Sequence, residues 1–380
     1  MKTNRFLTIV AALVLLFTSC NNKDEHMLTV INPDGTCSRE ISFHPHRKSV
    51  MSPLNEPIDN DGLDFGTDWQ RSWSVIGDSV RHSCPMTEAQ WDSLQQAFPK
   101  QNVSSKILIH ASRNYQNVRE MNDSLTRTVR HQFKATATLD KHFKWFYTDY
   151  VYHETFAITD IEKLFPVSLD RFVSADTASY WFTGQPNLAE DLTGAEQKEL
   201  LDEIESNISH WFNACTFTSI CSIIAHYYDK VQNPPVTREQ FLTNCDSIIT
   251  SLAVRSLDLF SDIDKVKNIL NDYYHSDTYS AILSDSTMNW DKKLEKHYNQ
   301  YDFLMKMVPT LDYQMPGKVI DAGEGKIEGD VVHYRFSGDR LIPHPYEVAI
   351  TSRSTNVWAY VVTLLVILLA VGSFVYKRRK

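Results

Sequence analysis

The chain has 380 residues, 38 of them basic and 47 acidic, for a formal net charge of −9. Residues 1–20 and 377–380 hold six basic residues and no acids, so the body between them carries 32 basic against 47 acidic groups, a net charge of −15. That balance argues against a nucleic-acid partner and against broad adhesion to an anionic membrane face. A hydrophobic content of 42%, with 17 Tyr, 19 Phe and 8 Trp, argues against a disordered or low-complexity chain.

The first twenty residues read MKTNRFLTIVAALVLLFTSC. Lys2 and Arg5 form a basic start, and the apolar run Phe6–Phe17 is too short to span a bilayer, so residues 1–19 are expected to be a secretory signal. The ending Thr18-Ser19-Cys20 resembles a bacterial lipobox, with Phe17 where Leu is usual. The resemblance implies lipidation of Cys20 as the first residue of the mature chain. Lys23-Asp24-Glu25 resembles the surface-export signal of Bacteroidota lipoproteins, which would place the protein on the outer membrane. Five triplets resemble the O-glycosylation sequon of that lineage: Asp78-Ser79-Val80, Asp92-Ser93-Leu94, Asp123-Ser124-Leu125, Asp176-Thr177-Ala178 and Asp246-Ser247-Ile248. Asp-Ser is also ordinary helix-cap chemistry.

Residues 20–192 read as β-rich. Met27–Ile31 and Ser38–His44 alternate in polarity around Asn32-Pro33-Asp34-Gly35, which predicts a hairpin. Residues 49–68 read as a long loop, and Trp69–Ile76 and Lys106–Ser112 as strands. Thr87 with Gln90 forms a capping box for a short helix ending near Phe98. Thr126–Thr159 is dense in aromatic and β-branched residues and predicts two long strands turning near Leu139–Lys141. Its rings fit a packed sheet or a carbohydrate platform. Lys100–Lys144 holds nine Lys/Arg against Glu120, Asp123 and Asp140, which fits a solvated strand face or a patch for an anionic ligand.

Residues 193–310 change to helical period. Thr193 is expected to cap a helix to about Val231, with Leu200, Leu201, Ile204, Ile208, Trp211, Cys215, Ile220 and Ile223 on its inner face, stopped by Pro234-Pro235. Thr237–Leu252, Ser261–His275 and Tyr279–Val308 complete a bundle-like region. Residues 311–356 return to strands, including a hairpin through Gly323–Lys326 and a last strand at Tyr346–Ser352. The first and last β segments are expected to pair, with the helices as an insertion.

Val357–Tyr376 carries no charge, and twenty such residues reach roughly 30 Å as a helix, enough to cross a bilayer. The tail Lys377–Lys380 places the cytoplasm at its C-terminal end. A hydrophobic helix is retained in the inner membrane, since outer membranes are spanned by barrels. The expectation is therefore an inner-membrane protein with its ectodomain in the periplasm; surface exposure on the outer membrane is the alternative. The fold class expected is α+β, with antiparallel β segments at both ends of the ectodomain, a helical insertion and one C-terminal transmembrane helix.

The strand and Asp-Gly turn at Thr29–Glu40, the Pro-Gly strand with its hairpin at Pro316–Phe336, and the span with its basic tail resemble bacterial membrane-anchored lipoproteins of the LppM type. The resemblance covers about a quarter of the chain and implies a place in the envelope and a ligand-binding α/β domain. More broadly, the chain resembles Bacteroidota membrane-anchored lipoproteins.

Cys37 and Cys84 both lie in the β-rich part and are a candidate disulfide; Cys215, Cys221 and Cys245 lie on predicted helices, where cysteine packs as a small hydrophobe. No CxxC, HExxH, nucleophile elbow or phosphate loop is present, so no cofactor, metal site or catalytic residue is assigned. His44-Pro45-His46 lacks an identifiable third ligand, and Asp140, His142, His153 and Glu154 form a possible acid/base group on strands. His210 and His226 read as structural. These features favour a non-enzymatic, membrane-anchored scaffold or accessory subunit, with a membrane-protein partner. The alternatives are a lipid- or glycan-binding module and an enzyme acting on envelope polymers.

Overall fold

The computed structural model describes residues 26–60, 63–128, 133–158, 161–255, 263–290, 293 and 310–379. The expected signal segment, Cys20 and Lys23-Asp24-Glu25 lie outside the described residues, as does most of the last predicted bundle helix. The chain divides into two compact units. One comprises Met1–Thr159, Lys306–Leu341 and Pro345–Lys380; the other comprises Asp160–Met305 with Ile342–His344. The class is α+β, with β segments from both ends of the body and a helical insertion.

The first unit contains β1 (His26–Ile31), β2 (Cys37–Phe43), β3 (Ile58–Asn60), β4 (Leu63–Phe65), β5 (Gln70–Val75), β6 (His82–Ser83), β7 (Ile107–Tyr115), β8 (Phe133–Phe143), β9 (Tyr147–Ile158), β10 (Thr310–Gln314), β11 (Lys318–Asp321), β12 (Lys326–Glu328), β13 (Val331–Arg335) and β14 (Tyr346–Thr355). Its short helices are α1 (Arg47–Met51), α2 (Glu88–Ala97) and α3 (Val118–Thr128). Eight strands form one sheet in the order β12-β13-β10-β1-β2-β7-β5-β6; four form another in the order β11-β14-β9-β8; β3 and β4 make a separate ribbon. The first and last β segments do meet, because β1 pairs in parallel with β10, His26 opposite Thr310. β14, by contrast, joins the four-stranded sheet beside β9, with Tyr346 opposite Phe156 and Thr355 opposite Tyr147.

Strand alternation decides which side chains meet between the sheets. β1 turns Met27, Thr29 and Ile31 inward, and β9 turns Tyr150, Tyr152, Glu154 and Phe156 inward. Tyr152 packs on Tyr313 of β10, ring centroids 5.6 Å apart, and Phe156 on Phe336 at 5.5 Å. Tyr150 and Tyr152 of β9 are therefore core residues, whereas Tyr147 is half-buried beneath Arg353. The Asn32–Gly35 turn forms as expected, with Gly35 at φ +96° and its N–H donating to the Asn32 carbonyl at 2.9 Å. The Thr87–Gln90 capping box opens α2. The supposed loop at 49–68 contains the end of α1 and the β3–β4 ribbon.

Two turns fall elsewhere than predicted. The β8–β9 connection is at Lys144–Phe146, not Leu139–Lys141. Asp140, Lys141 and His142 resemble loop residues by type, yet Asp140 and His142 are strand residues whose side chains occupy the exposed face. Gly323–Lys326 is not the tip of a hairpin either: β11 lies in the four-stranded sheet and β12 in the eight-stranded one, so residues 322–325 carry the chain between them. Gly317 immediately precedes β11 at φ +76°, and a Cβ there would collide with the Arg353 carbonyl of β14. Gly317→Ala is expected to cost about 1–3 kcal/mol, the range for enforced backbone strain. Gly329→Ala has a similar φ of +62° but open space around it, and should cost less. Denaturant midpoints of the two variants measure the difference.

The second unit contains α4 (Ile161–Leu164), α5 (Ala175–Thr183), α6 (Gly194–His226), α7 (Arg238–Ile248), α8 (Leu252–Arg255), α9 (Ile263–Tyr274) and α10 (Thr278–Ser284). Helical structure thus begins at Ile161, earlier than the expected boundary at 193. The Ser174 hydroxyl that accepts from Thr177 N–H, and Gly184 at φ +80°, bound α5 in the usual cap pattern. α6 opens on a Thr193–Glu196 capping box and ends at His226, short of Val231. Its buried face carries Ile204, Ile208, Trp211, Cys215 and Ile220, but Leu201 is exposed. Trp211 Nε1 donates to the Val167 carbonyl at 2.7 Å.

Cys221 of α6 and Cys245 of α7 form a disulfide, Cα atoms 6.6 Å apart. This corrects the reading of both as packed small hydrophobes, and Cys37 and Cys84, the candidate pair, are not bonded to each other. Cys37, Cys84 and Cys215 are buried free thiols. Burial pushes the Cys37 and Cys84 thiols up to about 11 and Cys215 to about 12, so these thiols remain protonated near neutral pH.

The C-terminal helix Val357–Arg379 is long and apolar enough to cross a membrane, and 6% of its apolar window is buried against the protein. A core helix of that length would be largely covered.

Candidate functional site at the junction of sheet and apolar helix

β14 runs into the C-terminal helix through a single residue, Asn356. That residue is fixed from several sides by the β8–β9 hairpin. Its backbone N–H donates to the Phe146 carbonyl at 2.9 Å. Its side-chain amide donates to the Lys144 carbonyl at 2.8 Å and the Trp145 carbonyl at 3.3 Å, while its Oδ1 accepts from Thr148 Oγ1 at 3.1 Å. The Asn356 carbonyl accepts from Ala359 N–H at 2.9 Å, beginning the helix.

Aromatic rings extend the contact along the helix. Phe143 stacks on Trp358 with centroids 6.3 Å apart, Trp145 meets Trp358 edge-on at 5.3 Å, and Phe146 packs against Tyr360 at 4.7 Å. Trp145 Nε1 donates to Thr363 Oγ1 at 2.9 Å. All five rings nevertheless remain substantially exposed. On the outer face, Arg353 bonds Asp149 at 2.6 and 3.0 Å and lies 3.8 Å over the Tyr147 ring. The hydrogen bond from Arg353 holds the Asp149 carboxyl below its ordinary range.

Behind the junction, the two sheets are joined by a buried charge pair. Arg39 of β2 donates through Nη2 to both carboxylate oxygens of Glu154 at 2.8 and 3.0 Å and through Nε to Thr29 Oγ1 at 3.0 Å. Tyr152 and Tyr313 donate to Glu154 Oε2 at 2.8 and 2.7 Å. Both charged side chains are wholly buried. Burial opposes the Arg39 charge, but the adjacent carboxylate more than offsets this and raises the guanidinium pKa. Burial, then the Glu154 charge, raises both phenols well above their usual value. Nearer the hairpin tip, Lys141 Nζ and Tyr150 OH both donate to the Pro33 carbonyl, at 3.0 and 3.3 Å, so the β1–β2 turn braces the hairpin.

The four residues considered as an acid/base group are separated by strand alternation. Glu154 faces the core, whereas Asp140, His142 and His153 lie on the exposed face. His44 Nδ1 lies 3.1 and 3.2 Å from the Ile107 and Ser104 carbonyls, whereas His46 occupies the N-cap position of α1, its backbone carbonyl accepting from Ser49 and Val50 N–H. No cluster of potential metal ligands occurs among the described residues. The basic stretch is also divided: Arg113 pairs with Asp68 and Glu120, away from Lys141 and Lys144 at the hairpin. Ser124, in one sequon-like triplet, is buried and bonded to Tyr115 and Arg113, so it is closed to modification in the folded protein.

Sequence reasoning missed a second polar cluster on the outer face of the eight-stranded sheet. His110 bonds Ser42 Oγ through Nδ1 at 2.7 Å and Ser74 Oγ through Nε2 at 2.9 Å, and Arg81 pairs with the neighbouring Glu40 at 2.6 Å. Burial, then the Arg81 charge, lowers the His110 pKa from 6.5 to about 4. The unfolded chain takes up a proton that the folded one refuses, so this contribution is complete above pH 6.5 and is lost as pH falls through about 4. Acid titration of stability should show that slope, and His110→Gln should flatten it.

These features define an α+β protein whose sheet is clamped to an exposed apolar helix. No family model matches the chain, and no curated protein or solved structure matches it at a significant level.

Proposed function

We propose that this is a non-enzymatic, membrane-anchored envelope protein acting as a scaffold or accessory subunit, with Val357–Tyr376 as its C-terminal span and its body in the periplasm. The observation that carries the reading is the one-residue junction at Asn356, bonded to three successive carbonyls of the β8–β9 hairpin. A flexible tail suffices to keep a domain near a membrane. A clamped junction instead fixes the orientation of the sandwich relative to the span, which suits a body that docks beside another membrane protein. The basic end of the helix supports the orientation. The Cys221–Cys245 disulfide supports an oxidising compartment for the body. Inner-membrane retention follows from the apolar helix, and acylation of Cys20 would add a second anchor.

Purification of the intact protein from its native membrane in mild detergent, followed by mass spectrometry, tests this. A stoichiometric membrane protein is the expected companion. A chain that purifies without a protein partner, carrying a bound lipid or glycan, would overturn the scaffold reading. The same intact mass reads the state of Cys20.

A further inference from the structure

We infer that the tip of the β8–β9 hairpin, Phe143–Phe146, is a second membrane contact that inserts into the bilayer interface beside the C-terminal helix. This rests on the reading of that helix as a span. Trp145 is hydrogen-bonded to Thr363, the seventh residue of the helix, roughly 9 Å below its start. If the tip stood in water, Thr363 would stand there with it. Only Leu364–Tyr376 would then remain as uncharged span, thirteen residues or about 20 Å, against the roughly 30 Å of a hydrocarbon core. Keeping all of Val357–Tyr376 available to the bilayer carries Trp145 into the interfacial layer.

The composition of the tip supports this independently. Turns facing water favour Gly, Asn, Asp, Ser and Pro. This one is Phe-Lys-Trp-Phe, with Phe143, Trp145 and Phe146 at 59%, 47% and 39% exposure. With Trp358 and Tyr360 they form one aromatic level around the start of the helix, and aromatic rings of this kind concentrate at membrane interfaces. Two lysines flank that level, Lys144 at the tip and Lys318 on β11, the latter opposite Arg353, whose own charge is paired with Asp149. Cations there suit the anionic headgroups of a lipid surface, even though the body as a whole is acidic. The hairpin would thus fix the tilt of the sandwich, giving the junction a second point of support that a lone helix lacks.

The test uses the full-length protein in vesicles of phosphatidylcholine and phosphatidylglycerol. A bimane fluorophore is placed on Phe143→Cys, with Leu365→Cys as the span reference and His153→Cys as the exposed-sheet reference. The three free thiols among the described residues are buried, which favours labelling at the introduced site. Phosphatidylcholines brominated at shallow or deep acyl positions are the quenchers. The Phe143 label should be quenched most by shallow bromines, the Leu365 label by deeper ones, and the His153 label by neither. A Phe143 label as unquenched as His153, with Leu365 quenched, would overturn hairpin insertion while leaving the span intact. An unquenched Leu365 label would overturn the span reading, and the inference with it. Lys144→Cys, which leaves every ring in place, repeats the measurement without disturbing the aromatic cluster, and should also report shallow quenching.

Discussion

Replacing Glu154 with glutamine is expected to destabilise the β-sandwich by about 3–5 kcal/mol, because it leaves the Arg39 charge buried without its counter-charge. The effect should far exceed that of a surface pair such as Arg47–Glu88, worth about 0–1 kcal/mol. The cost comes from desolvation as well as lost attraction. Glu154 also accepts from Tyr152 and Tyr313, so its replacement disturbs the contact between two sheets. The double variant Arg39→Met/Glu154→Leu removes both charges and should recover much of the loss. Arg39 Nη1 is buried without a hydrogen-bond partner, so the network is not fully satisfied and apolar replacement is the more tolerable. Denaturant midpoints of the three proteins decide the matter. A single variant within about 1 kcal/mol of the parent would show that water reaches the pair.

Removing the disulfide should have the next largest effect. Cys221 and Cys245 are 24 residues apart, and opening a loop of that size costs about 3 kcal/mol in chain entropy. Cys221→Ser/Cys245→Ser, or reduction of the parent, should lower the unfolding midpoint of the helical unit. Far-UV circular dichroism with and without reductant measures it. Equal midpoints in both conditions would show that the bond contributes nothing to that unit's stability.

Several elements were legible because one local signal was enough. The capping boxes at Thr87, Thr193 and Thr237 open three helices where the sequence places them. The apolar run at Val357 needs only composition and length. What escaped depends on long-range contact. Cys221 and Cys245 read as ordinary helix-face hydrophobes, since nothing in their spacing reveals that α6 and α7 bring them together. Leu201 fits the apolar period of α6 but lies on its exposed stretch. Short helices α4 and α5 lack the length for a periodic signal, although Ser174 and Gly184 mark the ends of α5. The junction itself was hidden by a reversal of turn chemistry. Polar Asp140–His142 continue a strand, whereas aromatic Trp145 and Phe146 form its turn, so residue type placed the turn too early in the hairpin. Glu154 likewise looked like a solvent-facing carboxylate until the packing of one sheet on the other brought Arg39 against it.

A body held in one orientation beside a membrane partner requires the sandwich and the apolar helix to move as one rigid body. Spin labels at His153 on the exposed sheet face and Leu369 on the helix would report this by pulsed dipolar spectroscopy on the full-length protein in lipid nanodiscs. The clamped junction at Asn356 predicts a single narrow distance distribution, which should broaden when a flexible Gly–Ser segment is inserted after Thr355. A broad distribution in the parent protein would show a swivelling tether and contradict the account.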